Sequence, residues 1–429
     1  MTAVTAEDRT ARTDPRTPGL PRLLPRTPED LRAHLARHGR LPYRGHPGLL
    51  IGDVKAAGLT GRGGAAFPTY RKLAVVAQAR GRPVAIANGA ESEPASHKDA
   101  LLLRTAPHLV LDGLQLAAEA VGAADARLYL HRGASHEVLR ALAERAAAGT
   151  DRLEVTVAEA PPRFLAGQET ALVSRIDGGP ALPRFGLPRV SERGVGGAPT
   201  LVQNVETLAH IALIARYGPR WFRAAGTAAE PGTMLATVYR PDGQCTVFEA
   251  AIGTPLRDML PDLAGTQALL AGGFHGTWLA APRAAQLTLD NETLRRHGAS
   301  LGAGVLAALP PDRCGLGEAA RVARYLAAES AGQCGPCFNG LPRIAAAMAE
   351  LAGPKPRSRT RQDAERWAAL VTGRGACHHP DGTVQFVRSA LTVFAPELDA
   401  HQRGRCSASN RRPFLPLPDG MPATEEDWV

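Results

Sequence analysis

Three cysteines in the last quarter of the 429-residue chain have the spacing of metal ligands. Cys334 and Cys337 form the tetrapeptide Cys-Gly-Pro-Cys, and Cys377 follows 40 residues after the second of them. Cys-Gly-Pro-Cys is also the active-site tetrapeptide of thioredoxin-like proteins, but there it follows a β-strand, whereas here it lies between two helical stretches. Thiolates at the starts of two helices can surround an iron–sulfur cluster, because helix N-termini stabilise its negative charge. The spacing therefore favours iron–sulfur ligation over a thioredoxin-like dithiol.

A glycine-rich stretch between Gly58 and Pro68 could bind a phosphate group. Its four glycines and two alanines allow backbone amides to approach a ligand closely, and Arg62 and Lys72 could supply positive charge. No Gly-Lys-Ser/Thr follows, so this is not a Walker loop, and no acidic strand end follows as in a Rossmann fingerprint. The alternative interpretation is a purely structural loop.

Two other stretches place acidic and amide side chains next to predicted elements. Residues 88–94, Asn-Gly-Ala-Glu-Ser-Glu-Pro, directly follow an apolar run that reads as a buried strand, and residues 167–172, Gly-Gln-Glu-Thr-Ala-Leu, open a predicted helix. Open α/β sheets bind ligands at the carboxyl ends of their parallel strands. The alternatives are an acidic surface turn for the first stretch and an ordinary helix N-terminus for the second, where the helix dipole favours Glu.

The sequence pattern predicts three folded parts that would position these stretches. Short β-like runs alternate with helical stretches, which indicates an α/β domain, and a hairpin around Pro241 followed by a helix indicates a small β-grasp-like module. Four further helical stretches predict a small bundle. The expected divisions are a loosely held Pro/Arg-rich arm at 1–45, an α/β domain at 46–228, a β-grasp module at 229–310, a helical domain at 311–400 and an irregular tail at 401–429.

The composition is that of an ordinary globular protein, with 44% apolar and 21% charged residues. The net charge of +9 comes from spread basic residues, which argues against nucleic-acid binding and is compatible with an acidic protein partner. Six cysteines are too few for a disulfide scaffold. No apolar run reaches membrane-spanning length and the N-terminus lacks a signal-peptide pattern, so the expected location is the cytoplasm, or the periphery of a membrane complex.

Six motifs, in this order, resemble those of the NADH-binding flavoprotein subunit of complex I and of related NAD-linked hydrogenases and formate dehydrogenases. They lie at residues 58–69, 88–94, 98–113, 167–172, 199–208 and 329–337. The resemblance implies an α/β FMN-binding domain, a β-grasp module of the SLBB type and a four-helix bundle that carries a 4Fe-4S cluster. It also implies an NADH dehydrogenase that takes a hydride onto FMN and passes electrons singly through the cluster to a ferredoxin-like protein, another iron–sulfur subunit or a membrane reductase complex.

The resemblance also assigns expected roles to individual residues. Phe67 is expected to stack on the nicotinamide nucleotide, and the expected catalytic residues near the flavin and NADH are Glu91, Glu93 and Glu169. The expected cluster ligands are Cys334, Cys337 and Cys377. The other expected cofactor-binding residues are Gly61, Arg62, Gly63, Gly64, Lys72, Asn88, Gly167, Gln168, Thr200, Gln203 and Asn204.

The chain departs from the family pattern at three positions. Ala90 and Gln168 stand where the family has carboxylates near the nucleotide, so we expect a relaxed preference for NADH that admits NADPH. Ala331 stands where the family has the first cluster cysteine. The fourth ligand is then expected from Cys406, His378 or His379, unless the cluster survives in a three-iron form or is lost.

Two other cysteines are poorer candidates for the fourth ligand. A helix between Cys314 and residue 331 would separate them by about 20 Å, and Cys245 is expected to be a packed core thiol. Two alternative functions stay open: an FMN-binding subunit whose degenerate cluster no longer conducts, and a non-catalytic protein that uses its β-grasp module for binding.

Overall fold

The computed structural model describes residues 12–13 by their backbone and residues 21–134, 136–186, 188–418 and 425–429. The strands in these ranges are β1 (Arg12–Thr13), β2 (Val84–Asn88), β3 (Asp125–His131), β4 (Val155–Ala160), β5 (Thr200–Asn204), β6 (Thr233–Tyr239), β7 (Cys245–Ala251), β8 (Ala268–Ala271), β9 (Thr277–Ala280) and β10 (Val305–Leu309). The α-helices are α1 (Leu31–His38), α2 (Pro47–Ala57), α3 (Thr69–Gln78), α4 (Lys98–Thr105), α5 (Pro107–Val121), α6 (His136–Ala148), α7 (Glu169–Ile176), α8 (Val205–Phe222), α9 (Leu256–Met259), α10 (Ala281–Ala284), α11 (Asn291–Arg295), α12 (Gly315–Ala328), α13 (Leu341–Ala352), α14 (Thr360–Val371), α15 (His379–Val393) and α16 (Ala395–Gln402).

The first sheet is fully parallel and has helices on both faces. Its strand order is β4-β3-β2-β5, and alternate side chains of β2 point to opposite sides: Ala85 and Ala87 pack under α5 and α8, whereas Val84 and Ile86 pack toward α7. The chain reverses its direction of winding between β2 and β5, and parallel sheets bind ligands at such a point. The carboxyl ends of these two strands, which are in register, therefore define the ligand-binding edge.

The helices α5 and α8 cross very closely on one face of this sheet. A Cβ atom at Gly113 would lie 2.0 Å from the carbonyl oxygen of Leu208, so only glycine fits at the crossing. We infer that this contact fixes α8, and with it the strand-to-helix turn after β5, against the rest of the domain.

The second sheet is mixed, with strand order β1-β7-β6-β10-β8-β9. The strands β6 and β7 form the antiparallel hairpin that was predicted around Pro241, and β10 runs parallel to β6 and antiparallel to β8. One face of this sheet packs on α9, α10 and α11, while Leu270 and Trp278 on the other face pack on the C-terminal helices. Four of those helices, α12 to α15, match the four predicted helical stretches, and α16 adds a short fifth one.

The segment that follows residue 21 is held firmly, so the expectation of a loose arm is wrong for residues 21–45. Leu23 and Leu24 are fully buried. The carboxylate of buried Glu249 on β7 accepts the backbone N–H groups of both residues and of Arg22. Residues 1–11 and 14–20 of the predicted arm lie outside the described residues. Among the described residues, no helix is long and apolar enough to cross a membrane.

Candidate flavin and iron–sulfur site

Two adjoining cavities lie where the carboxyl edge of the parallel sheet meets the loops of the mixed sheet and the start of α15. The larger has a volume of about 620 Å³ and the smaller about 280 Å³, and Gly63, Asn88 and Asn204 line both. The structure brings most of the predicted site residues to these cavities: Gly61, Arg62, Gly63, Gly64, Phe67, Lys72, Asn88, Glu91, Glu93, Gly167, Gln168, Glu169, Gln203, Asn204 and Cys377.

The structure does not bring Thr200 to either cavity. Its side chain is fully buried at the start of β5, where the hydroxyl donates to the carbonyl of Ala198 and accepts the backbone N–H of Val195. Thr200 therefore shapes the loop that leads into the strand. The resemblance assigned Thr200 a binding role through the motif at 199–208, but four residues along a strand span about 13 Å, which separates Thr200 from Asn204 at the cavity.

The glycine-rich loop folds back on itself at the edge of the smaller cavity. The N–H of Gly61 donates to the carbonyl of Phe67 at 2.9 Å, which closes the loop. A Cβ atom at Gly63 would lie 3.2 Å from the Cβ of Asn204, so the loop approaches the end of β5 more closely than most side chains allow. Backbone amides at such a point are available to an anionic ligand.

The guanidinium of Arg62 is directed into the protein, which corrects the expectation that it supplies charge to a phosphate. It donates to Thr60 Oγ1 and to the carbonyl of Pro231, and its Nε lies 4.0 Å from Glu206 Oε1. Burial lowers the pKa of Arg62, while Glu206 acts in the opposite direction. Arg62 is thus a buried structural cation whose backbone borders the cavity.

Lys72 is the predicted cation that faces the smaller cavity. Its ammonium donates to the carbonyl of Val202 at 3.0 Å and pairs with Glu169 Oε1 at 2.9 Å. Nearby, the Nε2 of Gln203 is buried and has no hydrogen-bond partner among the described residues. A buried donor without a partner costs about 1–3 kcal/mol, and a ligand with acceptor oxygens would remove this cost. The phosphate and hydroxyl groups of FMN are such acceptors, so the residues fit this cofactor.

Asn88 and Asn204 hold the loops that surround the cavities. The amide nitrogen of Asn88 donates to the carbonyl of Gly167 at 2.8 Å. The Oδ1 of Asn204 caps α8 by accepting the N–H of Glu206, and its amide donates to Asp99 at 2.7 Å. The two side chains thus fix three cavity loops relative to each other.

The two carboxylates after β2 have different environments. Glu91 caps α4, because it accepts the backbone N–H groups of Asp99 and Ala100. Glu93 is partly buried and accepts the backbone N–H groups of Phe274 at 2.7 Å and Ala95 at 3.2 Å. Burial raises the pKa of Glu93 to about 7, and the nearby charge of Glu91 adds to this effect. Glu93 therefore titrates near neutral pH beside the larger cavity.

We expect Glu93→Gln to flatten the pH dependence of stability. Because the pKa of Glu93 is raised in the folded state, its protonated carboxyl group contributes to the free energy of unfolding. This contribution is complete below about pH 4.5 and is lost as the pH rises through about 7, which lowers the free energy of unfolding by about 3 kcal/mol. Urea unfolding at several pH values measures this. A Glu93→Gln variant with the same slope as wild type would contradict the assignment.

Residues that were not singled out from the sequence form a buried ion network beside the larger cavity. Lys98 Nζ lies 2.7 Å from Asp99 Oδ1 and 2.9 Å from Glu206 Oε2, and Asp99 is held by Asn204. The signal available in the sequence was the adjacent Lys-Asp pair that opens the motif at residues 98–113. The loops of the mixed sheet add His275, whose Nε2 lies 3.0 Å from Nδ1 of His379 on α15.

The three predicted cluster cysteines converge at one end of the C-terminal helices. The sulfur atoms of Cys334 and Cys337 lie 3.6 Å apart. Burial raises the pKa of Cys377, and the neighbouring Cys334 thiol raises it further. Thiols from neighbouring cysteines are the ligand type of iron–sulfur clusters. Cys377 also lines the larger cavity, so the cluster region and the glycine loop border the same space.

Two of the three expected fourth ligands are already engaged elsewhere. Cys406 lies beside Cys314 at the start of α12, and the 14-residue helix separates that end from Cys334 by about 20 Å, so Cys406 cannot reach the cluster. In His379, Nδ1 bonds His275 and Nε2 bonds the carbonyl of Leu326 at 2.8 Å. The third expected ligand, His378, is exposed and lies next to Cys377 in the sequence. Of the three, it is the one that remains available to the cluster.

Curated relatives share most of the length of this chain. The F subunit of the NADH-quinone oxidoreductase of Streptomyces coelicolor is 30% identical over 379 residues, which covers 84% of this chain and 84% of the relative. The chain belongs to the family of NADH-quinone oxidoreductase F subunits. An F-type subunit of the same enzyme in Rhizobium meliloti is 27% identical and is covered over 90% of its length.

Two parts of this chain match descriptions of the family's cofactor-binding regions. The Nuo51 FMN-binding domain matches residues 54–213, and the NADH-ubiquinone oxidoreductase-F iron-sulfur binding region matches residues 317–401. These matches confirm the predicted family and its cofactors, FMN, NADH and a 4Fe-4S cluster. The protein is an oxidoreductase.

Solved structures with a similar fold include an NAD⁺-reducing [NiFe]-hydrogenase in its air-oxidized state. The TM-score is 0.77 at 29% identity, and the match covers 87% of this chain. This chain spans 64% of the length of that hydrogenase chain.

Proposed function

We propose that this chain oxidises NADH or NADPH at an FMN bound in the two adjoining cavities and delivers electrons one at a time to an iron–sulfur partner. FMN, when bound, accepts a hydride from the dihydronicotinamide and releases the two electrons singly. The observation that carries the proposal is the larger cavity itself, which Gly63 and Cys377 both line. A flavin held at the glycine loop would therefore lie in the same cavity as a cluster ligand.

In this proposal the chain's own residues bind and orient the two ligands. The backbone amides of the glycine loop, Lys72 and the unpaired amide of Gln203 would hold the FMN phosphate and ribityl oxygens. Phe67 is 46% exposed at the border of the smaller cavity, where it could stack on the nicotinamide nucleotide. Glu93 would hold or release a proton beside the larger cavity near neutral pH.

We further propose that electrons leave beside Cys334. This residue lines a surface cavity of about 780 Å³ together with Phe185, Arg184 and Arg374. Phe185 is 79% exposed, and Phe338, which follows Cys334 in the next helical turn, is 68% exposed. Exposed aromatic rings with arginines suit an acidic protein surface, as in a ferredoxin-like protein or an iron–sulfur subunit of a larger complex.

The proposal also assigns the two C-terminal parts. The mixed sheet, in which β10 runs parallel to β6 beside the β6–β7 hairpin, would be the SLBB-type β-grasp module. The helices α12 to α15 would be the cluster-binding bundle. The relatives are named as subunits of an NADH-quinone oxidoreductase, so a peripheral position in a membrane complex is part of the proposal.

The second candidate is a flavoprotein whose cluster does not conduct. The observation in its favour is Ala331, which leaves three of the four family thiolates. In that case a hydride would still reach the flavin, but one-electron transfer to a partner would be slow.

An anaerobic titration with NADH distinguishes the two candidates. For the first, we expect flavin and cluster absorbance to fall together, and turnover when an oxidised ferredoxin is added. For the second, flavin would bleach while iron and acid-labile sulfide, assayed on the same sample, are absent or unreduced. Protein that carries no FMN after reconstitution would contradict both candidates and favour a non-catalytic binding protein.

A further inference from the structure

Four metal-ligating side chains meet at a second place in the helical region, away from the three cluster cysteines. Cys314 precedes α12, Glu397 and His401 lie on α16, and Cys406 lies in the tail that follows. One ligand atom from each lies within 4.8 Å of every other. Neither cysteine falls within residues 317–401, the part that matches the iron–sulfur family region.

One backbone contact favours a negatively charged sulfur at Cys314, while burial and the neighbouring Cys406 and Glu397 raise the pKa of its thiol. Cys314 is the N-cap of the 14-residue helix α12, and its Sγ accepts the N–H of Gly317 at 3.2 Å. The thiol of Cys406 contacts both Cys314 and Glu397. Two sulfur atoms and a carboxylate therefore converge next to the positive end of a helix.

The imidazole of His401 is oriented so that one nitrogen faces this group. Its Nδ1 lies 2.9 Å from the carbonyl of Leu351, which accepts only from an N–H. The other nitrogen, Nε2, then points at Glu397 Oε1, 3.0 Å away, and at Cys314 Sγ, 3.6 Å away. A carboxylate oxygen and a sulfur atom that both face Nε2 require positive charge there, supplied either by a proton on the imidazole or by a metal ion bound to its lone pair. Metal-bound histidines usually donate the N–H of their non-coordinating ring nitrogen to a carbonyl or carboxylate, as Nδ1 of His401 does here.

We propose that Cys314, Cys406, His401 and Glu397 bind one Zn²⁺ ion. A tetrahedral zinc ion with usual bond lengths separates a sulfur and a nitrogen ligand by about 3.6 Å, which is the distance between Cys314 Sγ and His401 Nε2. Two thiolates, an imidazole and a carboxylate are a donor set that suits zinc. Binding would release the two thiol protons to solvent.

The zinc ion would fasten the C-terminal tail to the start of α12. Beyond Cys406, the tail already returns to this segment, since the N–H of Asn410 donates to the carbonyl of Asp312, and Glu318 accepts the N–H groups of Phe414 and Leu415. The metal would add a link at the point where the tail leaves α16. Its role is structural, because all four side chains would act as ligands and leave no open position.

The test is element-selective analysis of the purified full-length holoprotein. We expect about one zinc per chain, and X-ray absorption at the zinc edge should show two sulfur ligands at about 2.3 Å. Cys406 is exposed, so Cys406→Ser should fold normally and lower zinc affinity at least tenfold. Cys334→Ser is the matched control, which should lower iron and leave zinc unchanged.

Three results would overturn the zinc site. One is zinc content that falls with Cys334→Ser but persists in Cys406→Ser, which would place the metal at the cluster cysteines. Another is a disulfide between Cys314 and Cys406 in the isolated protein, detected by mass spectrometry. The third is a metal-free protein whose two thiols are both alkylated without denaturant. His401→Gln gives an independent check, since it should lower zinc affinity with both cysteines intact.

Discussion

Ala331→Cys is expected to raise the iron and acid-labile sulfide of the isolated protein to about four of each per chain and to speed one-electron transfer at least tenfold. The substitution adds a sulfur atom three residues before Cys334, which itself lies three residues before Cys337. A fourth thiolate completes the ligand set of a 4Fe-4S cluster, which otherwise holds an incomplete or weakly bound form. Metal analysis, electron paramagnetic resonance of the NADH-reduced protein and turnover with a ferredoxin measure the effect.

The matched control is Ala331→Ser, which has nearly the same size as the cysteine but provides no thiolate. It should leave iron content and turnover at the wild-type values. Residue 331 is only partly buried, so neither variant should perturb folding. If the serine and cysteine variants bind equal amounts of iron, then a missing thiolate does not limit the wild-type cluster.

His378 gives a second control on the same question. If His378 supplies the fourth ligand in the wild type, His378→Ala should lose iron, and the double variant with Ala331→Cys should regain it. Iron content that His378→Ala does not change would point instead to a three-thiolate cluster. Because the side chain of His378 is exposed, its removal should not perturb folding.

The order of elements could be predicted from the sequence because local patterns determine it. The apolar run at β2 and the four C-terminal helical stretches have the hydrophobic pattern of the elements that form there. Pro241 marks the turn between β6 and β7. The glycine loop and the polar residues after β2 were also found by pattern, because carboxyl ends of parallel strands gather at one edge.

Side-chain directions could not be predicted in the same way. Arg62 lies in the glycine loop, yet its guanidinium turns inward because Glu206, 144 residues later in the sequence, is buried beside it. Leu23 and Leu24 lie in a Pro- and Arg-rich segment whose composition indicates a loose arm, but the carboxylate of Glu249 and the apolar core around them hold both residues in place. Such partners are remote in sequence, so no local pattern contains them.

The positions of the cysteines also depend on contacts that are remote in sequence. The length of α12 separates Cys314 from the three predicted cluster cysteines, and it separates Cys406 from them as well, because the tail folds back to Cys314. A linear sequence gives the spacing within a helix but not the path of an irregular tail. The metal-ligating group at Cys314 was therefore not found from the sequence.

Gln168→Glu is expected to restore a strong preference for NADH over NADPH. Gln168 and Ala90 both line the larger cavity, where the family has carboxylates. Without these charges, the wild type should use NADPH with a kcat/KM within about tenfold of that for NADH. A carboxylate at residue 168 would repel the additional phosphate of NADPH by about 1.4–2.8 kcal/mol, which is a tenfold to hundredfold loss of kcat/KM.

The substitution should leave the local structure intact. The Oε1 of Gln168 caps α7 by accepting the N–H groups of Thr170 and Ala171, and a glutamate oxygen accepts the same two bonds. Steady-state kinetics with both coenzymes measure the effect, and Ala90→Asp should act in the same direction. Because NADH lacks the additional phosphate, its kcat/KM should change less than threefold. An equal loss for both coenzymes would mean that residue 168 acts on the flavin or the fold, and a wild type that does not turn over NADPH would mean that other residues exclude it.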